Sequence, residues 1–174
     1  VSGLYTGSSG GSSSNSFVLV GKYNATNSIT GVAGETQFPG VYILIPANTF
    51  SVKDNIMILG TFSRTTFLST IRLYYRISTS SAPSPITSSS LIADSNSLAT
   101  NVEYIPFDRF NIHIRTATQT LSSQLAGISE LATTTNPPNA RNINWTVDQY
   151  LFPSVLFTNS SENITLRSLT IFKY

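Results

Sequence analysis

Between Tyr42 and Ile77 the chain runs in three short apolar stretches, Tyr42–Ile45, Ile56–Leu59 and Thr70–Ile77. Pro46-Ala47-Asn48-Thr49 and the turn Lys53-Asp54-Asn55 separate the first two. Stretches this short, rich in β-branched and aromatic residues and bounded by turn formers, predict strands rather than helices. Thr66–Ser78 alternates most cleanly. Ile71, Leu73, Tyr75 and Ile77 fall on one face, and Arg72, Tyr74 and Arg76 on the other. A slip of one residue would turn two arginines into the core, so the pattern fixes the register.

The same reading carries along the chain. Phe17–Tyr23 is a predicted first strand, followed by a loop over Asn24–Gly40, then strands at Val41–Ile45 and Asn55–Arg64. Thr79–Ser90, with two prolines and many serines, reads as an exposed loop. Strands follow at Leu91–Asp94, Ala99–Tyr104 and Phe107–Arg115; in the last, Phe110, Ile112 and Ile114 share a face with Asp108. In Thr116–Ala132, Leu121, Leu125, Ile128 and Ala132 match a helical stripe, but the central Gly127 and the density of Ser and Thr favour short strands. Thr133–Asn142 holds Asn136-Pro137-Pro138-Asn139 and reads as a loop. Asn144–Val147, Tyr150–Asn159 and Asn163–Tyr174 are the closing strands. In the last of these the apolar parity shifts between Leu166 and Leu169, as a β-bulge near Arg167-Ser168 would make it do. About ten strands without a helix predict an all-β fold, an antiparallel β-sandwich of jelly-roll-like form.

Composition narrows the function classes. Charged residues are only 10% of the 174, so the surface is polar through hydroxyls and amides more than through ions. The Lys and Arg are scattered and the net charge is +2, which gives no electrostatic footprint for nucleic acid. Cysteine is absent, which removes disulfides, thiolate catalysis and Cys-based metal sites. No apolar run approaches the roughly 20 residues that span a bilayer, so no membrane insertion is expected. Residues 1–16 form a Gly/Ser-rich linker by composition, or the joint between a stalk and a head; residues 17–174 read as one domain. A chain opening on Val1 is expected to be a piece of something longer.

Catalytic chemistry finds little to stand on. His113 is the one histidine, on the polar face of a predicted strand, and triads and zinc sites need convergent partners. No HExxH, GxSxG, phosphate-binding loop or dinucleotide fingerprint is present. Asp54, Asp108 and Asp148 each lie at a strand edge, where the expected role is accepting backbone N–H bonds in turns. Trp145, Tyr150, Phe152 and Phe157 cluster near the C-terminus, where the expected role is core packing, with an exposed ring stacking on a sugar as the functional alternative. No enzyme, cofactor or metal is expected.

Three features in order carry a resemblance. They are Ile45-Pro46-Ala47-Asn48-Thr49-Phe50 followed by Asp54-x-Ile56-x-Ile58, the alternating Thr70–Tyr75 strand, and Asn144-Trp145-Thr146-Val147-Asp148 followed by the Val155–Asn159 and Asn163–Ile171 strands. Together they resemble the jelly-roll head domains at the tips of phage and algal-virus fibres and related virion proteins. The resemblance spans Phe17 to Tyr174. It implies a homotrimer on the virion surface that attaches to a host-surface receptor, a glycan or a protein. The long Ser78–Ser90 segment departs from that pattern, so no receptor residue carries over.

Two sets of candidate residues follow. Ser84, Thr87, Asn136, Asn139 and Arg141 lie in the two loops most open to a receptor. Arg72, Tyr74 and Arg76, on the side of their strand away from the core, are candidates for contact between subunits, because Arg and Tyr are enriched at interfaces. Alternatives on the same fold are a capsid, penton or decoration protein, a carbohydrate-binding module, or a carbohydrate-active enzyme.

Overall fold

The computed structural model describes residues 16–31, 34–66, 69–95, 97–98, 103–122 and 139–174. Thirteen strands are found among them: β1 Val18–Tyr23, β2 Asn27–Thr30, β3 Gly34–Gln37, β4 Ile43–Ile45, β5 Asn55–Arg64, β6 Ile71–Ser78, β7 Ser90–Asp94, β8 Tyr104–Pro106, β9 Arg109–Thr116, β10 Gln119–Ser122, β11 Asn139–Asn142, β12 Gln149–Phe157 and β13 Asn163–Lys173. One 3-10 turn, Ile86–Ser88, lies between β6 and β7. No helix among the described residues is long and apolar enough to cross a membrane.

The strands form two antiparallel sheets. One runs β1-β13-β5-β9-β10-β11, with β2 beside β13 and β8 beside β5; the other runs β3-β12-β6-β7, with β4 beside β12. The pairing is nested. The first strand lies against the last (β1 on β13), β3 and β4 against β12, β5 against β9, and β6 against β7. A hairpin of strands folded over on itself produces this order, and it defines a jelly roll. The sandwich and jelly-roll expectation therefore holds, with β10 and β11 extending the first sheet.

The core is the space between the sheets. Ile56, Ile58 and Phe62 of β5, together with Ile164, Leu166, Leu169 and Ile171 of β13, face Leu73, Tyr75 and Ile77 of β6 and Leu151, Val155 and Phe157 of β12. Complete burial of such a side chain contributes about 1.5–3 kcal/mol, so this inner layer dominates stability. The expected bulge in the last strand is present: the β13–β5 register shifts between Leu166 and Ser168, which lets both Leu166 and Leu169 face inward while Arg167 faces solvent. The backbone N–H bonds expected of the three aspartates are found as well, within a turn for Asp54 but between distant segments for Asp108 and Asp148. Asp54 accepts from Ser51 N at 2.7 Å, Asp108 from Gly60 N at 3.2 Å, and Asp148 from Ala47 N at 2.8 Å.

Several local expectations are corrected. Asn24–Gly40 is not one loop. It contains β2 and β3, held on β13 and β12, because polar side chains still pair well at sheet edges where only the backbone ladder is needed. Asn144–Val147 is a turn rather than a strand. The Asn144 side chain accepts from Thr146 N at 3.0 Å, and this local bond displaces a ladder bond. Tyr104 falls in β8, which continues to Pro106, while 99–102 of the expected Ala99–Tyr104 strand lie outside the described residues. The end of the expected Thr133–Asn142 loop is β11, paired with β10. Phe110 is 42% exposed and not on the inner face. Its strand is bulged: Ile56 and Ile58 of β5 lie opposite Ile112 and Arg109, so one residue is inserted and the parity flips. In the ambiguous Thr116–Ala132 segment, β10 is a strand and 123–132 lie outside the described residues.

Candidate functional site

At one end of the sandwich, the exit of β6 meets the entry to β7 and the chain joining β11 to β12. Ile77, Ser78, Thr79, Ser88, Ser90, Asn142, Ile143, Asn144 and Gln149 enclose a cleft of about 250 Å³ there. Ile77 and Ile143 are buried and form an apolar floor. The remaining lining residues are hydroxyls and amides, without a charged group.

Local hydrogen bonds fix each wall. The 3-10 turn is closed by Ser88 N donating to Pro85 O at 3.0 Å and Ser89 N to Ile86 O at 3.1 Å. Gln37 of β3 reaches across to Ser81 O at 2.8 Å and holds the preceding loop. On the opposite wall, Trp145 is 2% exposed and locks the Asn144 turn. Its backbone N donates to Ala117 O at 2.9 Å, its ring N–H donates to Thr120 Oγ1 at 2.8 Å, and its ring meets Phe50 edge-on at 4.9 Å. Gln149 Nε2 donates to Asn144 O at 2.7 Å. Both walls of the cleft are thus held by hydrogen bonds.

An aromatic shelf adjoins it on the outer face of the smaller sheet. Leu44 of β4, Tyr150 of β12 and Ser78 of β6 lie side by side across three strands. Tyr42 packs edge-on against Tyr150 at 5.3 Å. Tyr42 and Leu44 are exposed, at 42% and 43%. A shelf of apolar rings beside a polar, uncharged cleft presents both surfaces that a sugar offers, its C–H face and its hydroxyl edge.

Further along the same outer face the charges are arranged as a chain of pairs. Arg76 Nε and Nη2 donate to the two carboxylate oxygens of Glu35 at 2.5 and 2.6 Å, and its Nη1 donates to Ser89 O at 3.2 Å. Ser154 Oγ also donates to Glu35. Arg72 forms an ion pair with Asp94, and the hydrogen bond to that carboxylate raises its pKa above the ordinary arginine value. The Tyr74 ring lies between the two guanidinium groups, 5.6 Å from each. Burial, ahead of these charges, pushes its phenol above 10.0.

The sequence candidates separate in this geometry. Arg72, Tyr74 and Arg76 do share the face away from the core. Tyr74 and Arg76 are only 6% and 8% exposed, however, and their partners are in the same chain. The Arg72 side chain is 39% accessible. Ser84 and Thr87 are exposed on the loop that carries Ser88, outside the cleft lining. Asn136 lies outside the described residues, and Asn139 opens β11. Arg141 follows in β11, directly before Asn142 of the cleft. Sequence reasoning missed Ser78, Asn142, Asn144, Tyr42 and Tyr150 as a group. The Asn142-Ile143-Asn144 spacing beside Trp145 was the available signal, and the strand expected over Asn144–Val147 obscured it. His113 Nδ1 lies 3.2 Å from Asn55 Oδ1, away from the cleft. Among the described residues no three His, Asp or Glu converge as a metal site would require.

No family model matches the sequence, and no curated protein matches it. Among solved structures, the chain is similar to one from infectious bursal disease virus, Gx strain, at 13% identity with a TM-score of 0.22, over 86% of this chain and 41% of that one. The chain thus spans about two fifths of that protein's length. Overlap at that score is too loose to bear on fold or function.

Proposed function

We propose that this protein is a non-enzymatic attachment head on a virion surface that binds a host-surface glycan as a homotrimer. The observation that carries the reading is the cleft with its Tyr42–Tyr150 shelf. Its walls come from the exit of Thr79–Ser90 and the end of Thr133–Asn142, the two segments that sequence pattern nominates for recognition. Fold alone does not give function. The jelly roll supports the reading only in combination with the ordered motifs of the sequence and the chemistry of the cleft.

For the trimer, a second copy of this chain fits an apolar row on the outer face of the larger sheet. Leu19, Phe172 and Met57 lie side by side across β1, β13 and β5. Phe17 covers the end of the row, with its ring 6.5 Å from Phe172 and 5.0 Å from Tyr174. Phe17 and Leu19 are 58% and 55% exposed. The Gly/Ser-rich residues 1–16 lead directly into Phe17 at this row. Among the described residues no further strand pairs with the outer edge of β1.

Fluorescently labelled protein incubated with host cells, before and after enzymatic removal of surface glycans, tests the attachment reading. Saturable binding that is lost with the glycans and lost in Ser90→Trp, which fills the cleft, is expected. A protein that assembles into shells and ignores cells would instead place it among capsid components.

A further inference from the structure

The chain between β6 and β7 does not turn straight back on itself. Gln37 of β3 donates through Nε2 to Ser81 O at 2.8 Å, and Arg76 of β6 donates through Nη1 to Ser89 O at 3.2 Å. The 3-10 turn Ile86–Ser88 packs against β3. In the sheet order β3-β12-β6-β7, β12 lies between the two anchoring strands, so the segment crosses the outer side of β12.

The burial of one residue of β12 matches this crossing. Leu151 and Val155 belong to the core between the sheets, and Phe152 and Ser154 alternate to the other side, opposite Arg76 and Gln37. Phe152 is nevertheless fully buried, and it stands outside that core. The crossing segment has half-buried residues at Ser81, Pro83 and Ile86 to set against it. The segment itself is lightly held. Between Thr79 and Ser89 only Ser89 is buried, and the 3-10 turn buries no residue. Segments with so few buried contacts open without the rest of the fold.

We propose that residues 79–89 form a strap over Phe152 that lifts as a unit, and that Gln37 and Arg76 are positioning residues for the cleft although neither lines it. Thr79 and Ser88 of the cleft lining belong to the strap, and Ser90 follows it. The Arg76 anchor is the backbone carbonyl of Ser89, so it fixes the path of the chain from Ser88 to Ser90. The opposite wall at Asn144 is held separately, by Trp145 and Gln149. Lifting the strap removes one wall and leaves the other standing. This rests on the cleft being a glycan site and adds its gate: the glycan is retained while the strap is down and released as it lifts.

The chain has no cysteine, so one introduced thiol reports on one place. Labelling by iodoacetamide is compared for Phe152→Cys, under the strap, and Val155→Cys, on the inner side of the same strand. Phe152→Cys is expected to react at least about tenfold faster, because it needs only the strap to lift while Val155→Cys needs the sheets to part. Ser154→Cys, a one-atom exchange on the outer side, gives a second reading that does not depend on the larger substitution folding. Gln37→Met is added to each, since Arg76 also carries the Glu35 pair. It removes one donor at nearly constant size and should raise the rate under the strap by about fivefold, as the loss of one hydrogen bond does, with Val155→Cys unchanged. Gln37→Lys keeps a donor and should restore part of the protection. Equal rates under the strap and in the core overturn the proposal, as does a Gln37→Met effect of equal size at both. In the attachment assay on host cells, Gln37→Met alone should shorten residence on glycan-bearing cells and Gln37→Lys should recover part of it. Unaltered residence despite faster labelling overturns the gate and leaves glycan attachment standing. Attachment that ignores glycan removal overturns the attachment reading and the gate with it, while the labelling rates still decide whether the strap lifts.

Discussion

Arg76 and Glu35 form a two-point ion pair on the outer face of the smaller sheet, with N–O distances of 2.5 and 2.6 Å and side chains 10% and 12% accessible. The pair ties β6 to β3, two strands that are not neighbours, across β12. Planar, charge-assisted pairing of this kind is strong but carries a desolvation cost, so its parts are worth more together than singly. Glu35→Ala is expected to destabilise the fold by about 3–5 kcal/mol, because Arg76 is left buried without its anion. The double variant Glu35→Leu, Arg76→Met should recover most of that loss. Urea unfolding of the two single variants and the double variant checks the cycle.

That pair marks the boundary of what the sequence makes legible. The alternation of Ile71–Ile77 correctly separates the core face from the face bearing Arg72, Tyr74 and Arg76. Alternation cannot distinguish a face open to solvent from one closed by long-range partners. Glu35 is 41 residues from Arg76 in the chain, within a segment whose polar composition reads as loop. The bulge at Arg167-Ser168 is legible because both flanking leucines must be buried. The bulge in β9 is not, because Phe110 continues the apolar pattern and only pairing with β5 turns it outward. The cleft is hidden for the same reason. Its walls come from three places in the chain, and Asn144 forms a turn through its own side chain where its neighbours suggest a strand.

Glu162 gives the fold an acid-sensitive point. Its side chain and that of Arg64 are both 0% accessible, and their N–O distance is 2.8 Å. Burial by itself would raise the Glu162 pKa. The hydrogen bond and charge of Arg64, with the Ser69 N–H and the Thr66 hydroxyl, outweigh burial and hold it below the ordinary 4.5. A carboxylate depressed in the folded state stabilises it above the unfolded pKa, and the contribution is lost as pH falls through the folded value. Melting temperature is therefore expected to be flat with respect to this group at neutral pH and to fall below about pH 4.5. Glu162→Gln should reduce this acid dependence and lower stability at pH 7 by about 3–5 kcal/mol, as removal of one buried partner does. Thermal scans of both proteins from pH 7 to pH 3 decide it.

Gly60 is required by its neighbour across the core. A Cβ built there would lie 1.9 Å from Tyr75 Oη. Tyr75 cannot readily withdraw, since its hydroxyl donates to Phe107 O at 2.5 Å and its ring stacks on Phe107 at 4.4 Å. Gly60→Ala is expected to cost about 1–3 kcal/mol through overpacking. Introduced into a Tyr75→Phe background, where the clashing oxygen is gone, the same substitution should cost measurably less. Denaturant midpoints of the four proteins test this coupling, and strictly additive effects would refute the contact.

Leu19 lies in the contact face proposed for the trimer. Its side chain lies beside Phe172 and is 55% exposed, so within one chain it contributes little to the core. In a trimer formed through the row Leu19–Phe172–Met57, a charge at this position would be buried against apolar side chains without a partner. Leu19→Asp is therefore expected to convert trimer to monomer in sedimentation equilibrium at micromolar concentration, while circular dichroism remains unchanged. Arg72→Ala, on the opposite sheet, is expected to leave the trimer intact. Dissociation by Arg72→Ala with Leu19→Asp still trimeric would move the contact to the smaller sheet. A monomeric unmodified protein at the same concentration would remove the trimer from the proposed function altogether.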